Sequence, residues 1–262
     1  MTNVQQRYIV PALERGLKVL ELFDRHHVEL GPPEIAKALK LPRTTVFRLT
    51  QTLEGLGFLE RHGTAFRLGP AVLRLGFEYL ASLELTELAR PVIERLRDET
   101  NCASQLVIRD GREVVVVLKA PSASMFASNV NIGSRFPAHA TILGRTLLCE
   151  LAEDELARLY PERSLKSYSQ STPKSTADLR ELLAEDRRRG YLMSEGFFER
   201  GICALAAPVR DQSGRIVAAV SLTLQRQSLE PRDLRDRLID QVRAAAAQIS
   251  QRLDYRPEKV AA

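Results

Sequence analysis

Residues 41–61, LPRTTVFRLTQTLEGLGFLER, constrain this chain more than any other stretch. Pro42 opens a helix and Gly57 closes it, and Val46, Leu49, Leu53 and Leu56 recur between them at helical spacing. At about 100° per residue, Thr44, Phe47, Arg48 and Gln51 project from the opposite side, with Arg43 and Thr45 at the helix start. The apolar back requires a core beneath it. The polar front admits two readings: a solvated face, or a face for the DNA major groove, where cations, hydroxyls and amides meet phosphates and base edges. The neighbouring segments decide between them.

Upstream, Pro11 opens a first helix with Leu13, Leu17, Leu20 and Phe23 on one face, ending at the solvated pair His26-His27. Gly31-Pro32-Pro33 breaks the chain, and EIAKALKL supplies a short second helix with Ile35, Ala36 and Leu39 inward. Two short helices joined by a tight turn, the second with a polar front, form a helix-turn-helix. Downstream, FLERHGTAFRLG reads as two brief strands around His62-Gly63-Thr64, a wing that carries Arg61, His62 and Arg67. Residues 1–70 hold 10 Lys and Arg against 7 Asp and Glu, a surplus of 3 out of the net +5 of the whole chain. This order of elements selects double-stranded DNA as partner, with Arg43, Thr44, Thr45, Phe47, Arg48, Gln51, Arg61, His62 and Arg67 as the contact set.

The length of 262 residues and a hydrophobic content of 44% allow two cores. The expected division is a DNA-binding domain over 8–69, a linker helix over 70–83 and an effector-binding domain over 84–254. The linker carries Leu73, Phe77 and Leu80, a stripe that suits either a core or a dimer seam; paired recognition helices would match a two-fold symmetric operator. Leu88, Val92, Ile93 and Leu96 then face the second core. Beyond Cys102 the period becomes extended. ASQLVIRDGREVVVVLKAP reads as two strands joined by Asp110-Gly111, with Val114 to Leu118 covered on both faces.

Further on, Met125 to Ile132 reads as a third strand, Gly133 to Pro137 as a turn, and ATILGRTLLCEL as a helix starting near His139 to Thr141. ELARLY adds a short helix, and ERSLKSYSQSTPKST reads as a polar loop, a lid or linker. A helix from Ala177 to Arg189 ends in three solvated arginines. GYLMSEGFF, CALAAPVRD and IVAAVSLTL are antiparallel strands, and Pro231 opens a last helix with Leu234, Leu238, Val242, Ile249 and Leu253 inward. Strands and helices so segregated give an α+β fold, not a doubly wound parallel sheet.

Chemistry beyond binding finds no support in the residues. There is no GxSxG elbow, Walker loop or HExxH motif, and His139 stands alone in the second domain, so no enzyme is expected. Cys102, Cys149 and Cys203 form no close pair, and no ligand cluster suggests a metal or other cofactor. No apolar stretch approaches the ~18 residues that cross a bilayer, and no leader pattern opens the chain, so a soluble cytoplasmic protein is expected.

Three blocks in order, ALERGLKVLELF with PRTTVFRLTQTLEGLGFLER, GSRFPAHATILGRTLL, and RRRGYLMSEGFFERGICALAAPVRDQSGRIVAAVSL, resemble the IclR family of transcriptional regulators from about Tyr8 to Leu253. The resemblance implies a winged helix-turn-helix followed by a GAF-like effector-binding domain, an antiparallel sheet flanked by helices. It also implies dimers and often tetramers; contact with RNA polymerase is a further expectation for such a regulator.

Two features of the residues agree on a ligand position. The helix start at His139-Ala140-Thr141 offers backbone N–H groups to a carboxylate. Ser221 and Thr223 share one face of a strand, where they either orient a polar ligand or satisfy neighbouring backbone groups. By resemblance, effector contacts fall on Ile142, Leu143, Ser194, Ala204, Ser221 and Thr223, with Met125 and Phe136 as apolar walls. Ser194 stands where an acidic residue is common, Ala204 where cysteine is, and Arg145 where lysine is. The GYLMSEGFFERGICA block is one residue short, so the role of Ser194 could pass to Glu195. These departures point to a small organic acid of aromatic type. The rival reading is a metabolite-sensing or enzymatic domain whose winged module mediates protein contacts.

Overall fold

A computed structural model of the chain describes residues 9–24, 26–75, 84–122, 130–195, 202–225 and 232–256. The chain divides into two units, Met1–Ser82 and Leu83–Ala262.

The first unit contains α1 (Pro11–Glu21), α2 (Pro32–Leu39), α3 (Arg43–Gly55), β1 (Leu59–His62) and β2 (Ala65–Leu68). Behind α1, Asp24 Oδ1 accepts from the backbone N–H groups of His26 and His27, each at 2.7 Å, which holds the carboxyl below its ordinary range. At the start of α2 the Gly31 N–H donates to Glu34 Oε2 at 2.6 Å. Lys40 then adopts the left-handed conformation, φ 54°, that turns the chain into α3. Val19, Phe23, Ile35, Val46, Leu59 and Phe66 fill the core. The hairpin pairs Leu59 with Leu68 through to His62 with Ala65, and Leu30 and Phe66 exchange backbone bonds of 3.0 and 2.9 Å that tie the wing to the helices.

One expectation is corrected here: Leu13 and Leu17 are 61% and 52% exposed, while Val19 is fully buried. The core takes Val19, Leu20, Leu22 and Phe23 from this region, so the inward face is set by the last turn of α1 and the chain just after it. Residues 71–75 begin a helix, and residues 76–83 of the expected linker, including Phe77 and Leu80, lie outside the described residues.

The second unit contains α4 (Glu84–Thr100), β3 (Ala103–Asp110), β4 (Glu113–Ala120), β5 (Arg135–Pro137), a 3₁₀ turn (Ala138–Ala140), α5 (Ile142–Leu148), α6 (Glu153–Leu159), α7 (Thr176–Arg189), β6 (Leu192–Glu195), β7 (Ile202–Arg210), β8 (Ile216–Gln225) and α8 (Arg232–Arg252). The six strands form one antiparallel sheet in the order β5-β4-β3-β8-β7-β6. α4 and α8 pack on one face, where Ser250 Oγ accepts from Arg210 N–H at 2.9 Å. On the other face Val107, Val114, Val116 and Ala219 meet Leu147 and Leu148 of α5, Leu156 of α6, and Leu179 and Leu183 of α7.

Several local expectations shift. The β3–β4 loop is Gly111-Arg112, because Asp110 still pairs with Glu113. Arg135–Pro137, read as turn, is an edge strand on Glu113 to Val115, tied by Arg135 to Glu113 at 2.7 Å and to Asp110. The turn itself centres on Gly133, φ 84°, and residues 130–132 of the expected third strand are not extended in a ladder. α5 begins at Ile142 because the Thr141 hydroxyl caps it, accepting from Gly144 N–H at 3.1 Å.

The loop 162–176 is anchored and internally bonded. Leu165 is buried, and Thr172 Oγ1 accepts from Tyr168 N–H and Ser169 N–H at 2.9 and 3.1 Å. Nor is the triple arginine uniformly solvated: Arg187 donates to the carbonyls of Cys149 at 2.9 Å and Leu151 at 2.7 Å, capping the end of α5. Among the described residues no helix is long and apolar enough to cross a membrane, and no group of three His, Cys, Asp or Glu side chains could hold a metal ion.

Candidate functional site

α3 is held from behind and open in front. Val46 is fully buried, and Leu49 and Leu53 pack against the same core. Leu56 was expected on this stripe but is 60% exposed, because the helix ends at Gly55 and the chain turns away. Thr50 takes the inward place instead; its hydroxyl donates to the Phe47 carbonyl at 3.1 Å, which satisfies a polar group in the core. That role was legible in the spacing, since Thr50 lies four residues after Val46.

In front, Arg43, Thr44, Arg48 and Gln51 are exposed, Phe47 is 59% exposed, and Thr45 is half-buried. This brings the expected front of α3 together as one surface. The wing residues differ in kind, because each meets a carboxylate. Arg61 binds Glu54 at 3.1 and 3.0 Å with its guanidinium 4.7 Å above the Phe66 ring, Arg67 binds Glu60 at 3.0 and 2.9 Å, and His62 Nδ1 lies 2.9 Å from Glu29. Glu54 also accepts from Gln51 Nε2 at 2.7 Å, and its bond to Arg61 keeps the carboxyl below the usual range.

In the second unit, strand pairing assembles a cradle. Ser194 pairs with Ala204, Ala204 with Thr223, and Thr223 with Ala103; one step along, Leu192 pairs with Ala206, Ala206 with Ser221, and Ser221 with Gln105. Directly paired residues share a face, so these two rows lie on the side that carries α5. Ile142 and Leu143 of α5 close over Leu192, Ala204 and Ala206. Gln105 is buried and donates from Nε2 to Thr223 Oγ1 at 3.2 Å. The Ser221 hydroxyl is buried and meets no hydrogen-bonding group among the described residues.

Gln105, Leu192 and Ala206 were not expected in this group. Gln105 had a signal, as a long polar side chain inside the apolar run ASQLVI. Phe136 is not brought to the cradle: it sits on the far edge strand, paired with Val114, and packs into the core beneath α5 and α7. Met125 lies outside the described residues, as does the Glu195 side chain.

Behind the cradle, Arg145 is buried on α5 and bonds Asp186 of α7 through two nitrogens at 2.8 and 2.6 Å. Burial pushes the Asp186 carboxyl up, and the guanidinium opposes that rise. His139 Nε2 donates to the Lys166 carbonyl at 2.9 Å, with its ring 5.9 Å from each of Tyr160 and Tyr168, so it pins the 162–176 loop. Burial raises the Cys149 thiol to about 12, which keeps it protonated near neutral pH.

Residues 12–63 match the IclR helix-turn-helix domain, and residues 77–251 match the C-terminal part of bacterial IclR transcriptional regulators. The chain belongs to the IclR family. The HTH-type transcriptional regulator XynR of Escherichia coli (strain K12) is 28% identical over 249 residues, covering 94% of this chain and 98% of XynR. A transcriptional regulator from Rhodococcus sp. RHA1 has a crystal structure with a TM-score of 0.82 and 33% identity, covering 94% of this chain and 99% of that one. An IclR homologue from Microbacterium hydrocarbonoxydans, complexed with 4-hydroxybenzoate, gives a TM-score of 0.80 and 25% identity, covering 93% and 99%. As an IclR-family transcriptional regulator, the protein joins a helix-turn-helix DNA-binding part to a C-terminal effector domain.

Proposed function

We propose that this regulator binds a near-palindromic operator as a homodimer and is switched by a small aromatic acid held in the cradle of Ile142, Leu143, Ser194, Ala204, Ser221 and Thr223. The observation that carries the ligand reading is the buried, unbonded Ser221 hydroxyl beside the Gln105–Thr223 bond. A buried polar group without a partner is unfavourable, and a ligand oxygen would satisfy it. Ala204 and Ala206 keep the floor low, and Ile142, Leu143 and Leu192 give it apolar walls, which suits a flat ring with a polar edge. The 4-hydroxybenzoate bound by the Microbacterium relative supports the same class.

Calorimetric titration with 4-hydroxybenzoate, benzoate, glyoxylate and pyruvate tests this, and binding of the small oxoacids alone rejects it. Ser221→Ala should weaken the aromatic acid by roughly 2- to 10-fold while raising the melting temperature of the free protein. A variant with unchanged affinity and stability removes Ser221 from the site.

On the DNA side, Arg48 is exposed in the middle of the α3 front and reads a base edge, flanked by Arg43, Thr44, Thr45, Phe47 and Gln51. The exposed stripe of Val10, Leu13 and Leu17 on and just before α1 supports self-association. Arg48→Ala should cost about 1–3 kcal/mol on the operator and little on random DNA. Gel shifts across a salt series measure both, and equal loss on the two would reassign Arg48 to phosphate.

A further inference from the structure

The arginines of the wing come already paired, and its histidine also lies against a carboxylate. Arg61 with Glu54, Arg67 with Glu60 and His62 with Glu29 lie at 3.0, 2.9 and 2.9 Å. All six side chains are at least 30% exposed. Exposed pairs contribute only about 0–1 kcal/mol each, so stability does not account for them. Their larger effect is on the field, because Glu54 and Glu60 each cancel the charge of an arginine on the hairpin that flanks the recognition helix. Arg43 and Arg48 on α3, by contrast, face no carboxylate among the described residues.

Binding to arbitrary DNA is almost wholly electrostatic, while binding to a chosen sequence adds base contacts. Negative charge on the approaching surface therefore lowers affinity for DNA of any sequence and leaves the base contacts untouched. We infer that Glu54 and Glu60 restrain the wing: they neutralise Arg61 and Arg67, lower the phosphate-driven affinity for DNA of any sequence and leave discrimination to the front of α3. Glu54 has a second part, since it accepts from Gln51 Nε2 at 2.7 Å and so fixes one amide of that front. The inference rests on the proposal that the wing faces DNA.

Glu60 and Arg67 offer the cleanest test. They pair across β1 and β2 on the exposed hairpin, whereas Arg61 is also braced by Phe66. The full-length protein, Glu60→Gln, Arg67→Ala and the double variant are titrated against a short random-sequence duplex and a duplex enriched by binding selection, over a salt series. Glu60→Gln should tighten the random duplex by about 3- to 10-fold at low salt, steepen its salt slope by about one, and leave the ratio between the two duplexes nearly unchanged. Arg67→Ala should lose more in the Glu60→Gln background than alone.

Should Glu60→Gln leave the random duplex unchanged while Arg67→Ala by itself lowers the slope by about one, the carboxylates do not restrain the wing and the inference is overturned. If neither residue affects DNA at any salt, the wing does not face DNA and the reading beneath the inference fails, with the Arg48 result still standing separately. Thermal melts of all four proteins should coincide, which separates a field effect from a folding defect.

Discussion

Asp186→Ala should destabilise the second unit by about 3–5 kcal/mol, because it leaves the Arg145 guanidinium buried without its carboxylate. Arg145→Ala should do comparable damage from the other side. The double replacement Arg145→Met with Asp186→Leu should be neutral or stabilising. That sign follows from desolvation: both side chains of the pair are buried, and the cost of taking two charges out of water commonly matches or exceeds their mutual attraction. Chemical unfolding of the two single variants and the double decides it. Additive losses in the double variant would show that the charges themselves stabilise the fold. The pair joins α5 to α7, and α5 supplies Ile142 and Leu143 to the cradle, so effector affinity in each variant reports whether the charges also fix that wall.

Gly144→Ala should be nearly as damaging. A Cβ at this position would lie 2.1 Å from the Ala138 Cα and 2.2 Å from its carbonyl oxygen. Both are backbone atoms, so no side chain can rotate away, and the 3₁₀ turn would have to separate from α5. Overpacking of this sort costs about 1–3 kcal/mol and sometimes more, and here the upper end is expected. Because Thr141 and Ile142 stand between the two clashing segments, the proposed aromatic effector should lose affinity even where the protein still folds. Gly55→Ala is the control: its added Cβ meets nothing within 4 Å, and removing a helical glycine should stabilise by about 0.5–1 kcal/mol. Melting curves in which Gly144→Ala matched the parent would refute the close approach of turn and helix.

The contrast between these residues and the expected ones shows what a sequence can carry. α3, the wing and the β7–β8 pair were legible because they are local: a proline entrance, a glycine exit, alternation, and a turn closed by Asp211 accepting from Ser213 N–H at 2.9 Å. The inward face of α1 was only half legible, since Leu13 and Leu17 continue the stripe of Leu20 and Phe23 yet stay exposed while Val19 is buried, and only the position of α2 and α3 decides this. The edge strand Arg135–Pro137 contains proline next to a glycine turn, and its strand character comes wholly from Glu113 to Val115. Arg145 and Asp186 lie 41 residues apart, each inside a helix that reads as amphipathic without the other. The cradle fell between these cases: the alternation of Ser221 and Thr223 put both hydroxyls on one face, but Gln105 reaches Thr223 only because β3 pairs with β8.

That pairing has a consequence for how the chain is made. Gln105 and its partner Thr223 are separated by 118 residues, and β8 lies between β3 and β7 in the sheet. The first unit is complete within its own residues and can fold while synthesis continues. The effector unit cannot close its sheet until β8 has left the ribosome, so β3 waits with one edge unpaired while the chain from Gly111 to Gln225 is made. The nascent regulator would thus acquire its DNA-binding half before the half that responds to the effector.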